Sequence, residues 1–206
     1  MLLRMSLGGG ERGRTFGGLL FEVALIAVGV FLALWANSWH EDREHRALAK
    51  AALRNFLGEM EANRDATQSY LHYHQTLALD LDQFLSNKNA APTEERFDKE
   101  IHWQGLRPVI FEHTAWDLAI ATQALSYVKP ELAFDISKVY TKQNAFQTLE
   151  NSFLASAFTP ASMASDNMRG MAAAMKIYLG DVNQEEPKIL NLYGKVIPEV
   201  QSALGR

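Results

Sequence analysis

Cysteine is absent from the 206 residues. Disulfides, thiolate metal sites and cysteine nucleophiles are therefore excluded, while the absence itself says little about compartment. A basic excess is missing as well. Lys plus Arg number 20 against 24 Asp plus Glu, a formal charge of -4, so no surplus positive charge is available for a phosphate backbone and nucleic acid is not an expected partner. No proline precedes Pro92, which leaves the first part of the chain free of the strongest helix breaker.

Catalytic signatures are lacking too. Ser126, Ser137, Ser152, Ser156 and Ser162 sit in helix patterns without a G-x-S-x-G elbow, and no P-loop or G-x-G-x-x-G follows a strand. The glycine-rich GGGERG, residues 8–13, reads as a flexible tail and not as a phosphate cradle. His72 and His74 are two apart, which on a helix turns them about 200° from each other and prevents a shared metal. His40 with Glu44 and Glu41 with His45 stand at i, i+4 among alternating charges and read as a solvated helical face. The expectation is a chain without catalytic residues, metal ligands or cofactor, and thus not an enzyme; a membrane-tethered hydrolase is the remaining catalytic alternative.

What is present is dominated by one oily run. With 48% hydrophobic residues the chain can bury a sizeable core of one or at most two domains, yet much of the apolar content is concentrated early. From Leu19 to Ala36 the only charged residue is Glu22, and Val23 to Ala36 is uninterrupted. Eighteen helical residues reach about 27 Å, close to the hydrocarbon thickness of a bilayer. Trp35 and Trp39 fall at the far end as interface anchors. A buried core helix accounts less well for this length, and WANSWHEDRE offers no small-x-small exit for a cleaved signal peptide. Arg4, Arg12 and Arg14 precede the run, opposed only by Glu11, while Arg43, Arg46 and Lys50 follow it amid Glu41, Asp42 and Glu44; the more positive net charge upstream favours the short N-terminus inside and the large C-terminal part outside, with the opposite orientation as the alternative.

The run has a distinct stripe. Glu22, Ile26, Gly29, Ala33 and Asn37 recur every three or four residues and share one helical face. Gly29 and Ala33 form a small-xxx-small pair suited to a second helix, across which Asn37 would hydrogen-bond. The alternative is that Glu22 reaches the headgroups and the small residues are ordinary components of a membrane helix.

The same residues carry a resemblance. Glu22, Gly29, Ala33, Asn37, Trp39 and Glu41, a Glu-x6-Gly-x3-Ala-x3-Asn-x-Trp-x-Glu pattern, resemble the N-terminal signature of an uncharacterised family of bacterial single-span membrane proteins. HTAWDLAIATQALSYVKPELAFDISKVYTKQ resembles that family's second block, a Thr-led helix, a short break, and a helix with a Val-Tyr pair. Phe21 departs from the Gly that often precedes the Glu. The resemblance implies an anchor and a helical domain and supplies no mechanism.

Beyond the span, WHEDREHRALAKAALRNFLGEMEANRDATQSYLHYHQTLALDLDQFL has one glycine and a stripe through Leu53, Phe56, Met60, Thr67, Tyr70, His74, Leu77, Leu81 and Phe84, which predicts a long helix with its weakest point in the polar patch 61–69. A polar connector containing Pro92 follows. IHWQGLRPVIF reads as an extended loop or short hairpin packing Trp103, Ile110 and Phe111. Helices return with Thr114 as N-cap and Asp117 at N3, Pro130 in a first turn, and a Thr159–Pro160 start. Gly180 suits a helix end, Asn183 with Glu186 a capping box for a last helix toward Leu204, and Gly194 and Pro198 a kink in it. Met163, Met168, Met171 and Met175 fill core gaps or form an adaptable groove. Trp116, Thr122, Tyr127 and Tyr140 are the candidates for a pocket between helices, with plain bundle packing as the alternative.

The expected organisation is all-α: a flexible tail 1–16, a transmembrane helix 17–39 continuing into a long helix 40–87, a connector 88–112, and an antiparallel helical bundle 113–206 of four or five helices packing on the long helix. The expected role is a single-pass inner-membrane protein whose C-terminal domain is periplasmic and acts without catalysis, by partner binding or scaffolding. A ligand-sensing bundle signalling through the span is the alternative. The expected partners are the lipid bilayer and, through the span, a membrane protein or a second copy.

Overall fold

A computed structural model describes residues 16–87, 90–157, 159 and 167–205. The tail 1–15, Met163 and the Pro160 of the expected Thr159–Pro160 start lie outside the described residues. Among these there is no strand, and the chain is all-α: α1 (Phe16–Ser86), α2 (Glu94–Glu100), α3 (Thr114–Ala121), a 3₁₀ turn (Ala124–Tyr127), α4 (Pro130–Ala157) and α5 (Met168–Gly205). It divides into two compact units, Met1–Arg46 and Ala47–Arg206.

In the first unit α1 turns its apolar side chains outward. Phe21, Ile26, Phe31, Leu34 and Trp35 are all more than 60% exposed. An 18-residue window here has a mean hydropathy of 2.5 and none of it is buried within the protein. The helix is long and apolar enough to cross a membrane.

In the second unit the later part of α1 packs with α4 and α5. Contacts pair Asp82 with Lys176, His74 with Glu186 and Glu61 with Gln201 between α1 and α5, so these two run antiparallel. Asp135 meets Lys195 and Phe153 stacks on Tyr178, so α4 and α5 are antiparallel as well, and α1 is parallel to α4. Phe56, Met60, Leu77, Leu81, Ile136, Leu179, Ile189 and Tyr193 are fully buried between them.

Parallel neighbours require a return path, and the chain supplies it with an extended strap, residues 102–113, where an up-and-down bundle has a helix. The strap runs back along α1, from the Asp80 carboxylate at His102 to the Glu59 carboxylate at Ala115. That stretch of α1 is about 32 Å at 1.5 Å per residue, whereas thirteen helical residues cover only about 20 Å. Extension is therefore geometrically required, and the sequence permits it: Gly105 has φ 89, Arg107 φ 49, and Pro108 follows. The expected packing is partly reversed here. Phe111 is buried as anticipated and Trp103, though part-exposed, packs its ring against Phe97, but Ile110 points outward at 76% exposure, while Leu106 and Val109 go inward.

Other expectations are also corrected. The polar patch 61–69 does not interrupt α1; its Asn63 and Thr67 are buried because the strap docks there. Thr114 begins α3 and its N-cap is His113, without a side-chain cap bond, because the Glu59 carboxylate caps the helix from α1. The segment after Ala121 breaks at Gln123 (φ 56) before the 3₁₀ turn. α5 does not end at Gly180 or restart at Asn183 but runs through both Pro187 and Pro198. Each internal proline costs about 3 kcal/mol in an isolated helix, and burial of Val182, Ile189, Tyr193, Val196 and Val200 on one face offsets it. Arg96 closes the end of α1: its guanidinium donates to the Phe84 and Ala90 carbonyls, lies over the Phe84 ring, and pairs with Glu100.

Candidate functional site

The interior of the second unit carries Glu59, Asn63, Thr67, His74, Gln143, Glu150 and Glu186. Buried ionisable groups are the first place to look for chemistry, and their bonds give each a role. Asn63 pairs with the Glu112 backbone reciprocally, its amide donating to the carbonyl at 3.0 Å and its oxygen accepting the N–H at 2.9 Å. Glu59 accepts the Ala115 N–H at 2.8 Å and the Tyr140 hydroxyl at 2.7 Å. Tyr73 donates its hydroxyl to the Gly105 carbonyl and accepts the Gln104 N–H. Glu150 accepts the Val109 N–H at 2.9 Å and, more weakly, the Tyr178 hydroxyl. A segment with no strand partner thus has its backbone satisfied by side chains of α1 and α4.

His74 is the centre of this clamp. Its Nδ1 lies 2.6 Å from Glu186 Oε1 and its Nε2 3.1 Å from the Leu106 carbonyl, with both side chains fully buried. Two acceptors facing both ring nitrogens favour the imidazolium. Burial alone would lower the His74 pKa, but the Glu186 hydrogen bond and charge, with the strap carbonyls, raise it above its ordinary value. Burial pushes the Glu150 carboxyl up to about 7, against the Val109 N–H and the Tyr178 hydroxyl, which favour its ionised form. Burial likewise raises the Tyr140, Tyr178 and Tyr193 hydroxyls. Glu186 Oε2 and Asn183 Oδ1 are buried without a hydrogen-bond partner among the described residues.

Sequence reasoning put Thr67 and His74 on the inward stripe of α1 but missed Glu150 and gave Glu186 to a capping box. A signal was available for both. Glu150 follows buried Phe146 by four, and Glu186 lies between buried Val182 and Ile189 at helical spacing. His72 is exposed where His74 is buried, as their angular separation requires. Among the described residues no group of three His, Cys, Asp or Glu is arranged to hold a metal ion.

The four candidate pocket residues are distributed over three cavities. Trp116 and Tyr140 come together: their rings stack at 5.0 Å between centroids and 26°, and both line a cavity of about 470 Å³ with His113, Asp117, Thr141 and Asn144. The Tyr140 hydroxyl points away from it to Glu59. Tyr127 lies at a second cavity of about 590 Å³, floored by Leu53, Val128, Leu132 and Pro198. Thr122 lies at a small one of about 70 Å³ with its hydroxyl donating to the Leu118 carbonyl. None of Glu59, His74, Glu150 or Glu186 lines these cavities. Met175 is buried and Met168 and Met171 pack against the core.

In the first unit Glu22, Ile26, Gly29, Ala33 and Asn37 are all on α1 and exposed. A Cβ at Gly29 meets nothing within 4 Å. The Asn37 amide donates to Glu41 of its own helix at 2.7 Å, and His40 pairs with Glu44 at 3.1 Å on an exposed face.

No family model matches the chain, and no curated protein or solved structure matches it. The class the coordinates define is an all-α protein with one helix long and apolar enough to cross a membrane and a helical unit clamped around an extended strap by buried polar side chains.

Proposed function

We propose that this is a single-pass, non-catalytic membrane protein: residues 17–39 anchor it in a bacterial inner membrane, and the unit Ala47–Arg206 binds or scaffolds a partner on the periplasmic side. One observation carries the reading, the complete exposure of the apolar window in α1. Each Leu, Ile, Phe or Val left in water forgoes about 1.5–3 kcal/mol of burial, and a bilayer recovers it without any protein partner. The role of the buried acids favours binding over catalysis. Glu59 accepts the Ala115 N–H at the start of α3, Glu150 accepts the Val109 N–H of the strap and Glu186 holds His74, so these carboxylates position backbone. The Glu22–Ile26–Gly29–Ala33–Asn37 face is the proposed contact for a partner helix or a second copy.

The test is fractionation of the full chain, followed by protease protection of the intact inner membrane. Retention in the membrane after carbonate washing, with the C-terminal unit cleaved only from the periplasmic side, is the expected result. Release into the soluble fraction overturns the anchor; cleavage from the cytoplasmic side reverses the orientation alone. A second reading, a ligand-sensing bundle, is favoured by the cavities at Trp116–Tyr140 and at Tyr127, whose volumes lie in the range that small ligands occupy.

A further inference from the structure

The cavity of about 590 Å³ joins an apolar floor to a charged rim. Its floor is core: Leu53 of α1, Val128 before α4 and Leu132 on α4 are buried hydrophobic residues left facing open space. Water there meets an apolar wall and makes few hydrogen bonds, so an apolar occupant gains free energy by displacing it. The rim carries Lys129, Glu131 and Glu199. None of these three makes an ion pair among the described residues, although Lys138, Lys142, Lys176, Lys188 and Lys195 all do. One cation and two carboxylates above an apolar floor match a molecule with a hydrocarbon tail and a head bearing both signs of charge.

From this we infer that the cavity takes one acyl chain of an aminophospholipid, its phosphate beside Lys129 and its ammonium beside Glu131 and Glu199. The inference rests on the anchored reading for its source of lipid. Ala49 and Leu53, which line the cavity, follow Ala36 by only 13 and 17 residues in the chain, so two of its lining residues are close along the chain to the segment proposed to lie in lipid. A fully polar ligand would leave the Leu53–Val128–Leu132 floor unsatisfied, and a simple fatty acid would leave the two rim carboxylates facing a like charge.

The experiment uses the full chain in nanodiscs of an aminophospholipid doped with a photoactivatable acyl-chain analogue, with cross-linked peptides mapped by mass spectrometry. Label is expected on peptides containing Leu53, Val128 or Leu132 in addition to 19–36. Ala203→Phe narrows the cavity from α5, and Ser202→Trp does so from an exposed position that leaves the core intact; both should deplete the first set of labels while sparing the second. Lys129→Glu should reduce cavity labelling by up to about fivefold, the scale of an exposed ion pair, and an anionic lipid without an ammonium group should do likewise. Label confined to 19–36, or cavity label that survives both filling variants, overturns the assignment. Label in the cavity with none in 19–36 would overturn the anchor and leave the cavity assignment standing.

Discussion

The two units invert one another. Along residues 19–36 the apolar side chains face outward and bury nothing, whereas in Ala47–Arg206 a histidine and three carboxylates lie inside. Each arrangement is costly in water by itself. Exposed Leu and Phe forgo the hydrophobic effect, and a buried charge loses several kcal/mol of solvation unless it is paired. In the second unit the cost is met by an extended strap whose backbone N–H and C=O groups the polar side chains satisfy; in the first, on the anchored reading proposed above, it is met by lipid. Exposure of apolar groups therefore points to a missing solvent, while burial of polar groups here points to a missing strand partner.

The largest effect that separates the units comes from paired substitutions. Phe56→Ala removes a fully buried ring that contacts Tyr140 at 5.7 Å and Trp116 at 6.3 Å. It should destabilise the second unit by about 3–5 kcal/mol, read by thermal melting, while membrane retention is unchanged. Leu32→Arg should do the reverse, with about 2.5–3.5 kcal/mol against insertion and an unaltered melting transition of the second unit. If either variant moved both readouts, the units would be energetically coupled and the contrast would fail.

A smaller effect tests the strap. Asn63→Ala leaves the Glu112 N–H and C=O without their partner in a part-buried place, at a cost of about 1–3 kcal/mol. Hydrogen exchange should quicken first at Val109, Phe111 and Glu112. Uniform exchange along the unit would mean that the strap unfolds only with the helices.

How much of this could be read in advance follows from what each residue interacts with. The long helix and the inward positions Phe56, Met60, Leu77 and Leu81 depend on helical period and local breakers, which sequence carries directly. The strap does not. That residues 102–113 avoid helix is announced by Gly105 and Pro108, but the partners of this segment lie 22 to 49 residues away, and no local pattern encodes such pairings. Asn183 and Glu186 show the opposite failure. They have capping-box spacing, yet Glu186 bonds His74 across the bundle, because tertiary burial outweighs the roughly 1 kcal/mol a cap supplies. Tyr127 falls on the far side of a turn at Gln123 that helical periodicity does not foresee, and Thr122 is left capping α3 just before it.

The clamp also gives the second unit a pH dependence with a definite sign. Glu150 has its folded pKa raised from 4.5 to about 7, so between those values the native state holds a proton that the unfolded state has released. Its contribution is fully present below 4.5 and is lost as pH rises through about 7. His74, also raised, contributes below 6.5 and loses its contribution as pH rises through the higher folded value. Both slopes run the same way, toward lower stability on alkalinisation. The surface carboxylates Glu100, Asp135 and Glu185 are lowered by Arg and Lys partners and oppose this only as pH falls through their own lower range. Chemical denaturation from about pH 5 to 8 should therefore show falling stability. Glu150→Gln, neutral throughout and still able to accept the Val109 N–H, should flatten the curve; an unchanged slope would remove Glu150 from the account.

The smallest expected effect lies in the first unit. If the Glu22–Asn37 stripe meets another helix, Gly29 allows close approach because nothing occupies the space over its Cα, and a side chain there would hold two backbones apart. Gly29→Leu should then weaken association in a membrane reporter by about 1 kcal/mol, while Val28→Leu, on the other side of the helix, should leave it unchanged. The Asn37 amide already has a partner in Glu41, so Asn37→Ala should matter less than Gly29→Leu. Were the order reversed, polar pairing near the interface would govern association, and the exposed apolar face would act only toward lipid.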